Sequence, residues 1–275
     1  NLAYEFNQRR STLNLGAAIS NDTIDAFVGI PDGLTTLTCT KEAKNDAAFR
    51  TDWLECPVGN ARVFKSGNKV TTDFIVGFTQ VWNRRTLLQA NYARGNEDGY
   101  LTDPYKQISV VKSNFGETAV LYEKRPRSRN TNSLFFKFVN LPLDQLSLNV
   151  SYRFFWDDWD VQAHTLDGRL RYNITHKIYL QGHARLHRQG AASFYDKQIS
   201  IDADSSSYYA DKPRFITADT RLGRLMSATV GIKVGYKMNE KIGFSGRIEQ
   251  MQQYYYGALP RLKVWIAQLI LNVKF

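Results

Sequence analysis

The residues with chemistry to offer are four histidines, two cysteines and two short carboxylate runs. The histidines are His164, His176, His183 and His187. His183 and His187 share a side-chain parity, but four residues of extended chain separate them by about 13 Å. They do not chelate one metal together. A ligand from a neighbouring strand would be needed, and the competing reading is two solvated histidines on a polar face. Asp157, Asp158 and Asp160 flank Trp159 and carry the donors for a cation or a hydrolytic carboxylate pair. The favoured reading is a turn with solvated carboxylates. Asp202, Asp204 and Asp211 lie in a Ser/Tyr-rich stretch and are read the same way. Gly231 and Gly235 sit inside a strand pattern, not at a strand-to-helix turn, so they form no nucleotide loop. The expectation is no catalytic residue, no metal site, no cofactor and no enzyme.

Cys39 and Cys56 have neither zinc-ligand nor CxxC spacing. Both lie in a polar stretch. Their separation allows a disulfide that closes a loop, as in an oxidising compartment; two unrelated thiols are the alternative. The expectation is a Cys39–Cys56 bridge.

What positions these residues is a period of two. Segment 166–174 sets Leu166, Gly168, Leu170, Tyr172 and Ile174 against Asp167, Arg169, Arg171 and Asn173. Segment 226–238 sets Val230, Ile232, Val234 and Tyr236 against Thr229, Gly231, Lys233 and Lys237. The last segment sets Trp265, Leu269, Leu271, Val273 and Phe275 against Ile266, Gln268, Ile270, Asn272 and Lys274. Alternation of this kind marks strands with one apolar face. Eleven such segments fall at about 1–7, 12–26, 70–82, 86–94, 131–139, 147–156, 160–174, 178–188, 226–238, 242–253 and 262–275. Segment 107–123 is ambiguous and raises the visible number to 11–12.

The composition narrows the class. The 275 residues carry 36 Lys+Arg against 26 Asp+Glu, a net charge of +10, and 43% are hydrophobic. Mean hydropathy is −0.40. No run approaches the roughly 20 apolar residues of a spanning helix. The 13% aromatic content argues against disorder. Many segments are longer than the 5–6 residues or so usual in soluble sheets and match the roughly 9–11 of a tilted membrane strand. Trp82, Tyr92, Trp156, Trp159, Tyr172, Tyr179, Tyr236 and Tyr254 stand near segment ends, as interfacial girdles do. Long connections at about 27–69, 95–130, 189–225 and 253–261 alternate with short turns. The chain ends in Leu271-Asn272-Val273-Lys274-Phe275, which resembles the terminal signal read by the outer-membrane barrel-assembly machinery.

The expected fold is therefore all-β: a transmembrane antiparallel β-barrel over 1–275, in the outer membrane of a Gram-negative bacterium. Single-chain barrels have even strand numbers, so at least one strand is expected upstream of Asn1 and 12–16 strands in a full barrel. Leu170, Val234, Leu271 and Phe275 are expected to face lipid. The other parity is expected to line a lumen with Lys137, Arg153, Asp167, Arg169, Arg171, Arg185, Lys233, Lys237, Arg247 and Glu249. With Asp73, Asp157 and Lys274 added, that wall has nine positive and four negative side chains. Rings of Arg and Lys favour anions, so the functional expectation is a pore for small anionic solutes. The alternatives are a scaffold plugged by ion pairs that holds a lipoprotein or redox partner, and an enzyme with its site at the outer rim. Partners are membrane lipid and lipopolysaccharide. Basic residues spread over many strands, with no compact motif, do not suit nucleic acid.

Several runs also resemble a known family. They are Asp98-Gly99-Tyr100-Leu101-Thr102-Asp103-Pro104-Tyr105-Lys106, Lys124-Arg125-Pro126-Arg127-Ser128-Arg129, Tyr152-Arg153-Phe154-Phe155-Trp156-Asp157-Asp158-Trp159 and Gln189-Gly190-Ala191-Ala192-Ser193-Phe194-Tyr195. In this order they are similar to the DUF3570 family of uncharacterised bacterial proteins, well over 95–275 and loosely over 1–95. The resemblance implies further alternating strands upstream and an outer-membrane address. It implies no activity. The family's small lipoprotein, thioredoxin-like and flavin-transferase-like neighbours imply a redox or metal context by association.

Overall fold

The computed structural model of the chain describes residues 1–26, 30–31, 33–34, 66–112, 116–201, 213–256 and 261–273. The described elements are all strands: β1 (Leu2–Phe6), β2 (Ser11–Ile24), β3 (Gly67–Asn83), β4 (Thr86–Gly99), β5 (Gln107–Lys112), β6 (Gly116–Tyr122), β7 (Ser128–Leu143), β8 (Leu146–Asp157), β9 (Gln162–Asn173), β10 (Ile178–Gln189), β11 (Gln198–Ile201), β12 (Leu225–Lys237), β13 (Ile242–Tyr255) and β14 (Leu262–Val273). Eleven of them form one antiparallel sheet in the order β1-β2-β3-β4-β7-β8-β9-β10-β12-β13-β14. These correspond to the eleven segments that alternation marks out. The ambiguous segment 107–123 forms the hairpin β5–β6, and β11 joins it in parallel as a separate three-stranded sheet.

The barrel expectation is corrected here. Among the described residues β1 pairs with β2 alone and β14 with β13 alone, so the large sheet is open and has two edges. Alternation specifies which face of a strand is apolar. It carries no information on whether the first strand meets the last, because closure depends on shear and strand number taken together.

Short turns join β1–β2, β3–β4, β7–β8, β9–β10 and β12–β13. In an antiparallel meander these five turns share one end, and every long connection emerges at the other. The buried apolar residues gather at that end, in the long connections and the short turn between β8 and β9, instead of under the sheet. One cluster holds Leu34, Ile108, Val110, Leu121, Ile199 and Ile216. A second holds Trp159, Val161, Ala192 and Leu222, flanked by Phe155 and Phe194. The three-stranded sheet and the connections around it form a small packed cap at that end.

The large sheet keeps one apolar face uncovered. Leu170 is 49% exposed, Val234 49% and Leu271 59%. The accessible surface of 18474 Å² exceeds the roughly 12,000 Å² expected for a soluble monomer of this mass. Phe275 and the Cys39–Cys56 pair lie outside the described residues. Among the described residues no disulfide is present.

Candidate polar-face site

Register fixes which residues share a face, since directly opposed residues point the same way. One row reads Lys137, Ser151, Asp167, Arg185, Thr229 across β7 to β12. The next reads Asn149, Arg169, His183, Gly231, Glu249 across β8 to β13. A third reads Ser147, Arg171, Gln181, Lys233, Arg247. Arg153 lies opposite Thr165, and Lys237 is two steps beyond Gly235, which faces Tyr179. All ten residues expected on the polar wall therefore occupy one face. Leu170, Val234 and Leu271 occupy the other.

The centre of the polar face is His183. Its Nδ1 lies 2.8 Å from Glu249 Oε1 and its Nε2 lies 2.9 Å from Asp167 Oδ2. Arg169 and Arg185 stand 3.5 and 3.8 Å from Asp167, and Arg247 stands 3.5 Å from Glu249. Each ring nitrogen of His183 therefore faces one carboxylate oxygen, from Glu249 on β13 and from Asp167 on β9. The cluster gathers one histidine, three arginines and two carboxylates. His183 is largely enclosed by these partners, which corrects the reading of a solvated histidine. Its partners are carboxylates on β9 and β13, and among the described residues no group of three or more His, Cys, Asp or Glu is arranged to hold a metal.

The reach from β10 to β13 depends on Gly231. A Cβ there would sit 2.2 Å from Glu249 Cγ. A glycine inside a strand marks such a close approach, and that was the one sequence signal for this hub. Gly235 serves in the same way as the seat for Tyr179, whose ring would lie 2.0 Å from an added Cβ. Arg171 stacks over that ring at 3.7 Å. Tyr179 thus belongs to the polar face and not to a girdle.

The basic residues divide into two groups. Arg169, Arg185 and Arg247 face carboxylates. Among the described residues Lys137, Arg153, Arg171, Lys233 and Lys237 have no ion pair; Arg153 Nε donates to Ser133 Oγ at 2.8 Å and Arg171 Nε to Asn173 Oδ1 at 3.1 Å. His187 accepts or donates at Thr165 Oγ1, 2.8 Å away, and takes no part in the His183 cluster.

The rim carboxylates have structural work. Asp157 Oδ1 accepts from the backbone N–H of Trp159 and Val161, and Oδ2 accepts from Arg129. Arg129 stacks on the Trp159 ring at 4.5 Å. Asp158 accepts from the backbone and side chain of Asn130. Asp160 takes φ 65°, a left-handed conformation that Asp tolerates. Asp157 is buried, not solvated, and Trp159 belongs to the second apolar cluster instead of a girdle. Asp202, Asp204 and Asp211 lie outside the described residues.

Beneath the cap a second charged cluster was not legible in the sequence. Arg125 Nη2 bridges Glu123 and Asp219, all three side chains at most 10% exposed. Glu123 also accepts from Thr217 Oγ1, and Arg221 pairs with Asp219 and Asp103. Burial raises the Glu123 carboxyl above its ordinary value, against the pull of Thr217 and Arg125. Burial also pushes Asp219 upward, but the hydrogen bonds from Arg221 and the charges of Arg221 and Arg125 win and bring it down to about 2. These residues come from three connections far apart in the chain, which is why no local pattern announces them.

The family model described as "Protein of unknown function (DUF3570)" matches residues 1–268. The chain belongs to the DUF3570 family. The match starts at residue 1, so strands β1 to β4 belong to the family region as fully as the rest. Among solved structures, this DUF3570 chain is similar to the toluene transporter TodX of P. putida at 8% identity and a TM-score of 0.39, over 96% of this chain and 73% of that one. No curated protein matches it.

Proposed function

We propose that this chain is an outer-membrane solute-handling protein whose basic polar face attracts small anions, with its apolar face turned to lipid. One observation carries the reading: the polar face holds cations in excess, and five of them, Lys137, Arg153, Arg171, Lys233 and Lys237, lack an ion-pair partner among the described residues. Fixed charges of one sign along a path raise the local concentration of the opposite ion. The uncovered apolar face supports the lipid contact, since exposed patches of that size mark membrane or protein interfaces.

Aromatic spacing supports it too. Tyr172 lies opposite Leu146 and Trp156 opposite Gln162. The run from Leu146 to Trp156 is about 33 Å of strand, or about 25 Å of height at the roughly 40° tilt of membrane strands, which is the depth of an apolar membrane band. Above the upper row, Arg224 stacks on Tyr256 and Arg261 on Tyr254, cations suited to lipopolysaccharide phosphates. In a bilayer the free edges of β1 and β14 need backbone partners, because hydrocarbon offers none.

No catalysis is proposed, and no nucleic-acid binding. A second reading, a scaffold for a lipoprotein or redox partner, is favoured by one feature. A cleft of about 740 Å³ at the short-turn end is lined by Arg171, Lys177, Lys237 and Lys241, with Asp144 and Glu240. Ion permeability of the reconstituted protein separates the two. Anion-over-cation selectivity that falls in Lys233→Glu and Lys237→Glu supports solute handling. No conductance, with a stoichiometric partner bound at the short-turn end, supports the scaffold.

A further inference from the structure

A cleft of about 350 Å³ opens on the polar face across β2, β3, β4, β7 and β8, near the end of the sheet that carries the long connections. Its lining holds three charged residues, Asp73 on β3, Arg94 on β4 and Arg153 on β8; Arg94 pairs with Phe74, one residue out of phase with the Asp73–Gly95 pair, so register turns it to the apolar face and leaves Asp73 and Arg153 on the polar one. They form no ion pair with each other, and neither has an ion-pair partner among the described residues. Arg153 is fixed by its bond to Ser133 Oγ, 2.8 Å away, and by the Phe155 ring 5.9 Å from its guanidinium carbon. Asp73 lies over Gly95, where an added Cβ would stand 2.9 Å from its Oδ1.

The gap between them follows from register. Asp73 lies opposite Gly95, and Ser133 lies opposite Ala93 on the same strand β4. From Asp73 to Ser133, where the Arg153 side chain is tied, is two strand steps across and two residues along, about 12 Å. A volume of this size is at the lower end of small-molecule sites. An isolated anion would leave Asp73 as a repelling neighbour, and an isolated cation would leave Arg153. A solute with both charges satisfies both walls.

We infer that this cleft binds a small zwitterionic solute of amino-acid to dipeptide size, with its carboxylate at Arg153 and its ammonium at Asp73. The carboxylate accepts two parallel hydrogen bonds from the guanidinium, a geometry Arg is built for. The ammonium donates to Asp73 Oδ1. Gly95 keeps the space open between them.

The inference deepens the proposed solute handling and rests on the polar face being the one solutes reach. Its test is a binding titration of the intact chain in detergent micelles, followed by NMR. Glycylglycine is the zwitterion, N-acetylglycylglycine the anion of the same shape, and glycylglycine amide the cation. Glycylglycine is expected to bind saturably, and each blocked analogue about ten-fold more weakly, the loss of one charge-assisted bond. Arg153→Gln and Asp73→Asn are each expected to cost glycylglycine a similar factor. Gly95→Val, which keeps both charges, is expected to abolish binding. N-Acetylglycylglycine binding as tightly as glycylglycine, with Asp73→Asn silent, overturns the inference in favour of a plain anion site, and so does the absence of saturable binding. Saturable glycylglycine binding without anion selectivity in bilayers would end the basic-path reading and leave the cleft standing.

Discussion

His183 on β10 reaches Glu249 on β13 over the bare backbone of Gly231, with β12 passing between them. The contact crosses two strand boundaries, and Asp167 extends it to a third on β9. Four strands are thus tied by side chains as well as by their ladders. Gly231→Val is expected to displace Glu249, leave the His183 ring with one carboxylate and destabilise the sheet by about 1–3 kcal/mol, the cost of a polar group left without its partner. Guanidinium unfolding of the reconstituted chain measures this, and the ¹⁵N shifts of His183 report the lost partner. Unchanged shifts in Gly231→Val would show that the bridge does not depend on the missing side chain.

Arg125 is the clamp of the cap. Arg125→Met removes the only cation that faces both Glu123 and Asp219 among the described residues, leaving buried Glu123 without its cation while Arg221 still holds Asp219. A cost of about 3–5 kcal/mol is expected, local to the cap. Limited proteolysis should cut at 190–197 and 213–224 in the variant while the β7–β10 amides stay protected from exchange. Equal loss of protection across the sheet would refute the local clamp.

Acid should open the cap before the sheet. Asp219 has its folded value lowered from 3.8 to about 2. A depressed carboxylate stabilises above its unfolded value, and that stability disappears as pH falls through the folded one. The contribution of Asp219, about 2 kcal/mol, is therefore complete above pH ~4 and lost by pH ~2. Glu123 is raised, so it costs stability as pH rises from its ordinary 4.5 and relieves that cost on acidification. Fluorescence of buried Trp159 against pH should show a transition between 4 and 2 that flattens in Asp219→Asn.

Lipid contact can be read from tryptophans. Trp82 and Trp265 are each 68% exposed on the apolar face, while Trp159 is 4% exposed inside the cap. Brominated lipid is expected to quench single-tryptophan variants that retain Trp82 or Trp265 and to leave one retaining Trp159 bright. Equal quenching of all three, or of none, would remove the apolar face from the bilayer. Leu170→Asp should weaken lipid association by about 2 kcal/mol.

The strand edges offer a separate check. In bilayers the amides on the outer edges of β1 and β14 are expected to exchange slowly, since hydrocarbon cannot satisfy them. Fast exchange there, as for an edge in water, would argue against burial of the sheet in the membrane.

Alternation alone carries the strand list and the sorting of Arg169 from Leu170, because a pleated strand turns successive side chains to opposite faces and two adjacent letters suffice to see it. The alternation also separates the short turns from the long connections. Other features depend on residues distant in the chain. Asp167 and Glu249 meet one ring only because three ladders set their register, and Glu123, Arg125 and Asp219 meet only because separate connections pack together. Openness is of the same kind: whether β1 finds β14 depends on the accumulated shear of every strand between them, a property of the assembled sheet to which no single segment holds the key.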